Sequence, residues 1–451
     1  MKPIPFAPGA PVLGKLPDFR RDQLAFLTEM RRDYGTIVRF KFFYVNSYQL
    51  NAPEYIHQVL VEQADKFEKA KLDHQIFNIF LGNGLIISEG DFHKRQRRLM
   101  QPAFHSKRIN AYAETMVDYS QRMLKGWRNG AQIDIHEAMS TLTRQIVLKT
   151  LFNTDDSPEA DVIAESVHVL NEGGENAYKR GFILPQWLPV KAVRTSHASV
   201  AKIDELIFSI IEERRKSNED KGDLLSMLLL AQDEDDGGHM TDRQVRDEAV
   251  TLFLAGHETT ANALSWTFYL LAKHPDVEAK LLEELDRVLA GRAPTLSDLG
   301  QLTYTDWVIK EAMRLYPPAW VLNARTPIED VEIDGYTLKQ GSSIFISPYV
   351  MQHDPKYFAN PEQFTPERWA NDFEKTLPRY AYFPFGGGPR VCIGNSFALM
   401  EARLILATIA QAIQMRVEGT VEPEPLITLR PCGGIPATVR DRAPIKLAAA
   451  S

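Results

Sequence analysis

The sequence predicts a mostly helical fold with small β-sheets at one side. Helical periodicity dominates from Pro53 to about Ala290, where apolar residues recur every three or four positions. Thr36–Leu50 and Val321–Val350 instead alternate and contain turn residues, a pattern typical of strands. A final apolar helix is expected from Asn395 to about Gln414.

The individual elements can be predicted from local signals. Residues 1–35 form a proline-rich lead and a first helix, and a strand hairpin follows with its turn near Asn46–Ser47. Thr241 is the expected N-cap, with Asp242 in the first turn, of a helix that runs to about Lys273. Further expectations are amphipathic helices over Ser106–Trp127, Ile133–Leu151 and Ala201–Lys216, an acidic surface loop at Gln232–Gly238, a long ordered loop at His353–Arg379, and a strand pair turning at Pro431–Gly434.

The composition is typical of a large soluble globular protein. The 451 residues are 44% hydrophobic and 25% charged, and no stretch resembles a linker between two cores. The net charge of −7 argues against a nucleic-acid-binding protein. The two cysteines, Cys392 and Cys432, exclude a disulfide framework and favour a reducing cytoplasm. Met1–Phe19 has no long apolar run, so we expect neither a secretory signal nor a membrane anchor.

The most informative segment is Phe385–Gly394, FGGGPRVCIG. Three successive glycines permit tight backbone angles, which suits a rigid loop pressed against a flat ligand. Cys392 precedes the predicted Asn395 helix, whose N-terminal amides would stabilise a thiolate, the form of cysteine that ligates iron. Alone, the segment is also compatible with a structural cysteine beside a glycine-rich turn.

At every defined position the segment resembles the heme-binding loop of the cytochrome P-450 superfamily, Phe-x-x-Gly-x-Arg-x-Cys-x-Gly. The resemblance extends from about Thr36 to Arg440 and implies a single triangular-prism heme domain over residues 1–451, of the soluble bacterial type. It implies heme b as cofactor and Cys392 as the iron ligand, with Phe385 and Gly394 at the ends of the loop. Thiolate ligation of heme iron favours O–O cleavage.

A second group of residues matches the family in the same order along the chain. Glu311 and Arg314 of KEAMR share one helix face, and Arg368 lies in FTPERW. Glu-x-x-Arg alone is common on solvated helices. The resemblance makes these three residues a buried ion-paired trio that braces the cysteine loop, with a structural role.

The segment AGHETT, Ala255–Thr260, lies in the middle of the predicted Thr241–Lys273 helix. The family uses this place to activate oxygen, so the resemblance makes Thr259 the alcohol and Glu258 the acid of a proton relay. The hexapeptide by itself would also fit a helix that tolerates polar residues on a wet face.

Positive charges for the heme propionates are expected from Arg390 in the loop, from Arg325, and from His93 and Arg97, which are four residues apart on one helix face. The neighbouring cations Lys94, Arg95 and Arg98 are interpreted as a solvated face or as part of a docking surface for an acidic electron donor.

The resemblance implies a monooxygenase that inserts one atom of O2 into an apolar small molecule. The sequence contains no flavin or iron–sulfur motif, so a ferredoxin or flavodoxin with its NAD(P)H-dependent reductase is expected to supply electrons. A peroxygenase on the same fold and a heme-thiolate sensor or electron carrier remain as alternatives. By position in the family, the expected chamber segments are Phe77–Ile87, Ile183–Leu188, Leu252–Thr259, Trp320–Leu322 and Cys432–Ile435.

Overall fold

Helices account for most of the fold. The computed structural model describes residues 2–154, 158–180, 183–217, 219–233 and 237–442. Its α-helices are α1 Leu16–Arg21, α2 Gln23–Tyr34, α3 Pro53–His57, α4 Lys71–Leu81, α5 Gly90–Met100, α6 Ser106–Ile109, α7 Ala113–Lys125, α8 Ile135–Phe152, α9 Pro158–Arg180, α10 Lys191–Ser217, α11 Leu224–Leu230, α12 Asp242–Lys273, α13 Pro275–Leu289, α14 Thr303–Leu315, α15 Pro348–Gln352, α16 Phe373–Thr376 and α17 Asn395–Ala410. None of the described helices is long and apolar enough to cross a membrane.

The strands form small sheets. They are β1 Ile37–Phe42, β2 Val45–Leu50, β3 Phe67–Lys69, β4 Gln132–Asp134, β5 Arg325–Pro327, β6 Val331–Ile333, β7 Tyr336–Leu338, β8 Ser343–Ile346, β9 Ile413–Val417, β10 Pro423–Pro425, β11 Leu429–Pro431 and β12 Pro436–Asp441. The largest sheet has the order β1-β2-β8-β5-β3, and β2 and β8 are its parallel pair. The mainly helical fold with small sheets is therefore confirmed.

The centre of the molecule is α12, whose bounds the sequence predicts correctly. The Thr241 hydroxyl accepts the amide hydrogen of Gln244, and the Gln244 side chain accepts that of Thr241 in return. Such a reciprocal cap fixes where a helix begins. Phe253 and Trp266 are fully buried, so α12 is enclosed by its neighbours and can place polar side chains inside the protein.

Three expectations near the ends of the chain are wrong. The hairpin turns at Phe43–Tyr44 instead of Asn46–Ser47, and Phe43 takes a positive φ of 53°. The strands on either side of Pro431–Gly434 do not pair with each other, because β11 pairs with β10 whereas β12 pairs with β4 and β9. The amide of Ile435 donates to the Asp134 carboxylate, which directs the chain into the second sheet. The last helix also ends early, at Ala410, because Ile413 begins β9.

Other predicted segments are subdivided. Ser106–Trp127 splits into α6 and α7, which a 3₁₀ turn joins, and the first two residues of Ile133–Leu151 belong to β4, before α8 begins. Ala201–Lys216 lies within the longer α10. His353–Arg379 is ordered as expected but contains a 3₁₀ segment and α16. In the predicted acidic loop, residues 234–236 lie outside the described residues, and Asp233 is buried against Arg95 and Arg98 instead of exposed.

The predicted trio meets at a fully buried carboxylate. Arg314 bonds both oxygens of Glu311 at 3.0 Å, and Arg368 Nε reaches Oε1 at 3.2 Å. The indole of Trp369 and the amide of Thr365 also donate to this carboxylate. Glu311 and Arg314 are both 0% exposed, so full pairing is what makes this charge tolerable in the interior.

The remaining donors of Arg314 connect α14 to the segment that leads into the cysteine loop. They bond the carbonyls of Gln352, Pro361 and Gln363. The Gln352 side chain in turn bonds the carbonyls of Met313 and Arg314 and accepts the amide of Phe383. All five guanidinium hydrogens of Arg314 are therefore used, and Phe383 lies two residues before the loop begins.

Replacement of Glu311 by Ala should destabilise the protein by about 3–5 kcal/mol, because two arginines would remain in the interior without a carboxylate. The measurement is denaturant-induced unfolding of purified protein, together with heme content. The control is Glu374→Ala. This variant removes an exposed carboxylate of α16 that pairs with Lys310 of α14, the helix that also carries Glu311. Equal stability of the two variants would contradict this account.

Candidate active site

The cysteine loop is closed by a backbone hydrogen bond and fits closely against its neighbours. The amide of Cys392 donates to the carbonyl of Phe385 at 3.0 Å. Gly388 has a φ of 66°, and a Cβ at this position would lie 1.8 Å from the carbonyl oxygen of Leu60. A side chain there would displace the loop, so glycine is required at Gly388 for steric and conformational reasons.

Two influences act in opposite directions on the Cys392 thiol. Its accessible surface faces an interior cavity and not bulk solvent, so burial raises the pKa of the thiol. The amide of Gly394, at the N-cap of α17, and the charge of Arg97 lower this pKa. The helix start thus stabilises the thiolate as the sequence suggests, without fully offsetting the desolvation.

A set of basic side chains, which we call the cationic cluster, borders the same cavity as Cys392. Its members are Lys69, His93, Arg97, Arg325 and Arg390, and all five border the same cavity. The structure therefore brings together the four residues that the sequence identified as propionate partners. Arg97 also bonds the carbonyl of Val391, and Arg390 bonds that of Ser88 and pairs with Glu89.

Positive charges in the cationic cluster lower the pKa values of its members. Burial and the charge of Arg390 lower the pKa of Arg325 to about 10. Burial, followed by the charges of Arg390 and Arg325, lowers the pKa of Lys69 well below its usual value. Burial and the nearby Arg390 lower the pKa of His93 to about 3, so its ring is a neutral hydrogen-bonding group. Such concentrated positive charge suits a ligand with two carboxylates.

Lys69 is a member that the sequence interpretation missed. It ends β3, directly opposite Arg325 in the β3–β5 register, and its amide donates to Glu89. A short strand of three residues has no periodic signal. The pairing with β5, which becomes evident in the fold, is what places Lys69 beside the arginines.

The acid–alcohol pair lies on α12 facing the same cavity as the cysteine loop. The helix continues unbroken through it, yet three consecutive carbonyls accept side-chain hydroxyls. Thr259 bonds the carbonyl of Ala255 at 2.8 Å, Thr260 bonds that of Gly256, and Thr143 of α8 bonds that of His257. The wall beside the pair is dry, because Val250, Phe253 and Leu254 are buried.

Glu258 is held by neutral partners from two other elements. Asn171 of α9 donates to one carboxylate oxygen at 2.5 Å, and Thr428 donates to the other at 2.6 Å. Asn262 supports Thr428, and His136 bonds Asn262. Sequence spacing gives no indication of these partners, since they come from distant segments.

The cavity between α12 and the cysteine loop has a volume of about 1950 Å³. Three of the expected chamber segments contribute to it, represented by Phe77, Leu252 and Trp320. Among the described residues, those of Cys432–Ile435 do not border it. They bend toward Asp134, and Glu422–Thr428 lines the cavity in their place. Ile183, Leu184 and Gln186 line a separate cavity of about 430 Å³, so that expectation is also wrong.

Comparison with known proteins agrees with this geometry. A family model described as Cytochrome P450 matches residues 4–435. The chain belongs to the cytochrome P450 family.

Several relatives of this cytochrome P450 are similar over almost their full length. Cyclooctatin synthase of Streptomyces melanosporofaciens is 40% identical, with 93% of this chain and 92% of the relative covered. Cyclooctat-9-en-7-ol 5-monooxygenase of the same organism is 37% identical, with 92% and 90% covered. Pentalenene oxygenase of Streptomyces avermitilis is 35% identical, with 93% and 92% covered.

A solved structure confirms the P450 fold. The crystal structure of the cytochrome P450DA heme domain superposes with a TM-score of 0.89 at 26% identity, covering 98% of this chain and 99% of that one. The expected enzyme class is therefore also confirmed: the protein is a P450 oxidoreductase that incorporates oxygen at a heme iron.

A second buried acid lies behind the acid–alcohol pair of this P450. Glu401 of α17 is 0% exposed and lies beside Thr260. Burial raises the pKa of Glu401 to about 8, and the neighbouring Thr260 hydroxyl only partly opposes this. At neutral pH Glu401 is therefore mostly a neutral carboxylic acid inside the helical core.

This raised pKa makes the free energy of unfolding depend on pH. The folded state binds a proton at Glu401 up to pH about 8, whereas the unfolded chain releases it near pH 4.3. The stabilisation that this bound proton provides is fully present below the pKa of Glu401 in the unfolded chain. It is lost as pH rises through the pKa of Glu401 in the folded protein. The difference in stability between wild type and Glu401→Gln should fall by up to about 1.4 kcal/mol per pH unit between pH about 5 and 8.

Denaturant unfolding of both proteins across that range measures this difference. Glu205→Gln is the control, because it makes the same chemical change at an exposed position of α10. A constant difference between wild type and Glu401→Gln would show that Glu401 is ionised in the folded protein.

Proposed function

We propose that this P450 hydroxylates or epoxidises a cyclic terpenoid, and that the thiolate of Cys392 would ligate the iron of a heme b. The observation that carries the proposal is the common cavity of Cys392, the cationic cluster and the Thr259–Glu258 pair. The substrate class is supported by the relatives, whose names refer to cyclooctatin, cyclooctat-9-en-7-ol and pentalenene. The cavity walls at Phe77, Leu252 and Trp320 are apolar, which suits such a ligand.

The residues present fit a heme. Cys392 would be the iron ligand, while Arg97, Arg325, Arg390, His93 and Lys69 would bind the two propionates through charge-assisted hydrogen bonds. When bound, a thiolate-ligated heme supplies O2 activation. Glu311, Arg314 and Arg368 have the structural role of holding the segment before the loop, and we infer one heme domain over the chain.

Proton delivery is assigned to Thr259 and Glu258. The Thr259 hydroxyl can both donate and accept a hydrogen bond, and it borders the cavity while it bonds the carbonyl of Ala255. Asn171 and Thr428 fix the orientation of the Glu258 carboxylate without neutralising it. Glu258 would pass protons to Thr259, since the apolar wall excludes bulk water.

Electrons are proposed to come from a ferredoxin or flavodoxin and its NAD(P)H-dependent reductase in the cytoplasm. An acidic donor would be attracted by exposed cations near the cysteine side, such as Lys94. Arg95 and Arg98 both pair with the buried Asp233. They therefore contribute to the surface potential from fixed positions.

Cys392→Ala should abolish the long-wavelength absorption band of the reduced carbon monoxide complex, because this band requires a thiolate ligand. Cys432→Ala is the matched control and should retain the band, since Cys432 does not border the cavity within the described residues. The measurement is the difference spectrum of purified protein with its heme content. An unchanged band in Cys392→Ala would refute the assignment of the ligand.

Thr259→Val removes a hydroxyl with little change in volume. The variant should bind heme and substrate normally and consume NAD(P)H, but most electrons should appear as hydrogen peroxide instead of hydroxylated product. Coupling, the fraction of consumed NAD(P)H that yields hydroxylated product, should fall by a factor within the range of about 10²–10⁴ that is usual for one proton-transfer group. Added hydrogen peroxide should restore some product, because it carries its own protons.

Thr267→Val is the control for this experiment, because Thr267 lies on the same helix, is buried and bonds the carbonyl four residues earlier. It should couple as well as wild type. If Thr259→Val also couples normally, the relay uses other groups. Efficient wild-type turnover with peroxide alone would instead favour the peroxygenase, and a lack of turnover with any donor would favour the sensor or electron carrier.

A further inference from the structure

A buried carboxylate interrupts the apolar wall of the chamber. Asp73 lies in the first turn of α4, is 6% exposed and borders the cavity. Leu72, Phe77 and Leu85, which line the cavity in this region, are apolar, whereas the neighbouring Lys69, Lys71 and Gln75 are polar. An ionisable group in such a wall is costly unless its hydrogen bonds are satisfied. Asp73 belongs neither to the cationic cluster nor to the acid–alcohol pair.

Neutral groups hold this carboxylate in place. Tyr178 of α9 donates its hydroxyl to one oxygen at 2.8 Å, and the amide of Ala324 donates to the other at 3.0 Å. Among the described residues no ion pair involves Asp73. A carboxylate has about four acceptor positions, so Asp73 retains the capacity to accept a further hydrogen bond from inside the cavity.

We propose that Asp73, oriented by Tyr178, binds a hydroxyl group that the substrate already carries. This inference rests on the proposed function and narrows it: the substrate is a hydroxylated terpenoid and not a hydrocarbon. The reaction that supplies it must leave a hydroxyl, either as an earlier oxygenation or as a terpene cyclisation that ends with capture of water.

The charges around Asp73 favour an uncharged hydrogen-bond donor on the substrate. An ionised carboxylate only accepts hydrogen bonds, so a substrate carboxylate would meet a like charge. Lys69 and Arg325 are close enough to interact electrostatically with Asp73, and they would oppose an ammonium group. A hydrocarbon would exclude water from the carboxylate without donating a hydrogen bond to it. An alcohol meets all three constraints.

The test is a binding titration of the heme-loaded protein with two ligands, a fused-ring diterpene alcohol and the hydrocarbon of the same skeleton. Displacement of the heme absorption band gives each dissociation constant. Wild type should prefer the alcohol, and Asp73→Asn should reduce that preference by about 10-fold or more, the usual value of one hydrogen bond to a charged group. Its affinity for the hydrocarbon should stay the same or increase.

A further variant separates binding from a structural role. Tyr178→Phe removes the same link between α9 and α4 but keeps the carboxylate. It should retain most of the alcohol preference, even where the loss of this link lowers thermal stability. If Asp73→Asn and Tyr178→Phe reduced the preference equally, Asp73 would be a structural link and the proposal would be overturned.

The outcomes also distinguish this subsite from the proposed function. An unchanged preference in folded Asp73→Asn overturns the subsite and leaves the oxygenase assignment intact. Failure of wild type to bind either ligand overturns both the subsite and the terpenoid substrate class. The expected preference without oxygenated product in a complete redox system would support the subsite and contradict the proposed function.

Discussion

The fully buried carboxylate of Glu311 is the group on which the reactive end of the fold depends. It accepts hydrogen bonds from Arg314 and from three positions between Thr365 and Trp369, so a helix and an irregular segment share one charge. Irregular backbone cannot supply its own hydrogen-bond ladder and needs such external partners. Through Gln352, the same network reaches Phe383 and fixes where the cysteine loop begins.

The positively charged part of the site consists of side chains that repel one another. Lys69, Arg325 and Arg390 come from β3, β5 and the cysteine loop. After burial, the charge of Arg390 lowers the pKa values of Arg325 and Lys69, and Arg325 also lowers that of Lys69. A dianionic ligand would turn this unfavourable arrangement into a favourable one. Its binding energy would therefore also stabilise the fold, since a ligand that binds only the folded state shifts the folding equilibrium.

The parts of the fold that the sequence predicts correctly are those that local interactions determine. The Thr241 cap needs only Gln244, and the Cys392 loop needs only its glycines and the helix after it. Lys69, Asn171 and Thr428 were missed because their partners lie far away in the chain. The turn at Cys432–Ile435 was misplaced for the same reason: the Asp134 carboxylate, 301 residues away, decides its direction.

The inner face of α9 carries polar side chains at Asn171, Glu175 and Tyr178, and each contacts a different element: α12, the Arg430 strand and α4. None of these pairs belongs to the network around Glu311. Substitutions at Glu175 and Tyr178 can therefore reshape the chamber wall without disturbing the anchoring of the cysteine loop or the Asn171 contact that orients Glu258. Selectivity can thus change while the reactive groups stay in place, which makes this part of α9 a suitable target for combinatorial libraries that seek altered regiochemistry.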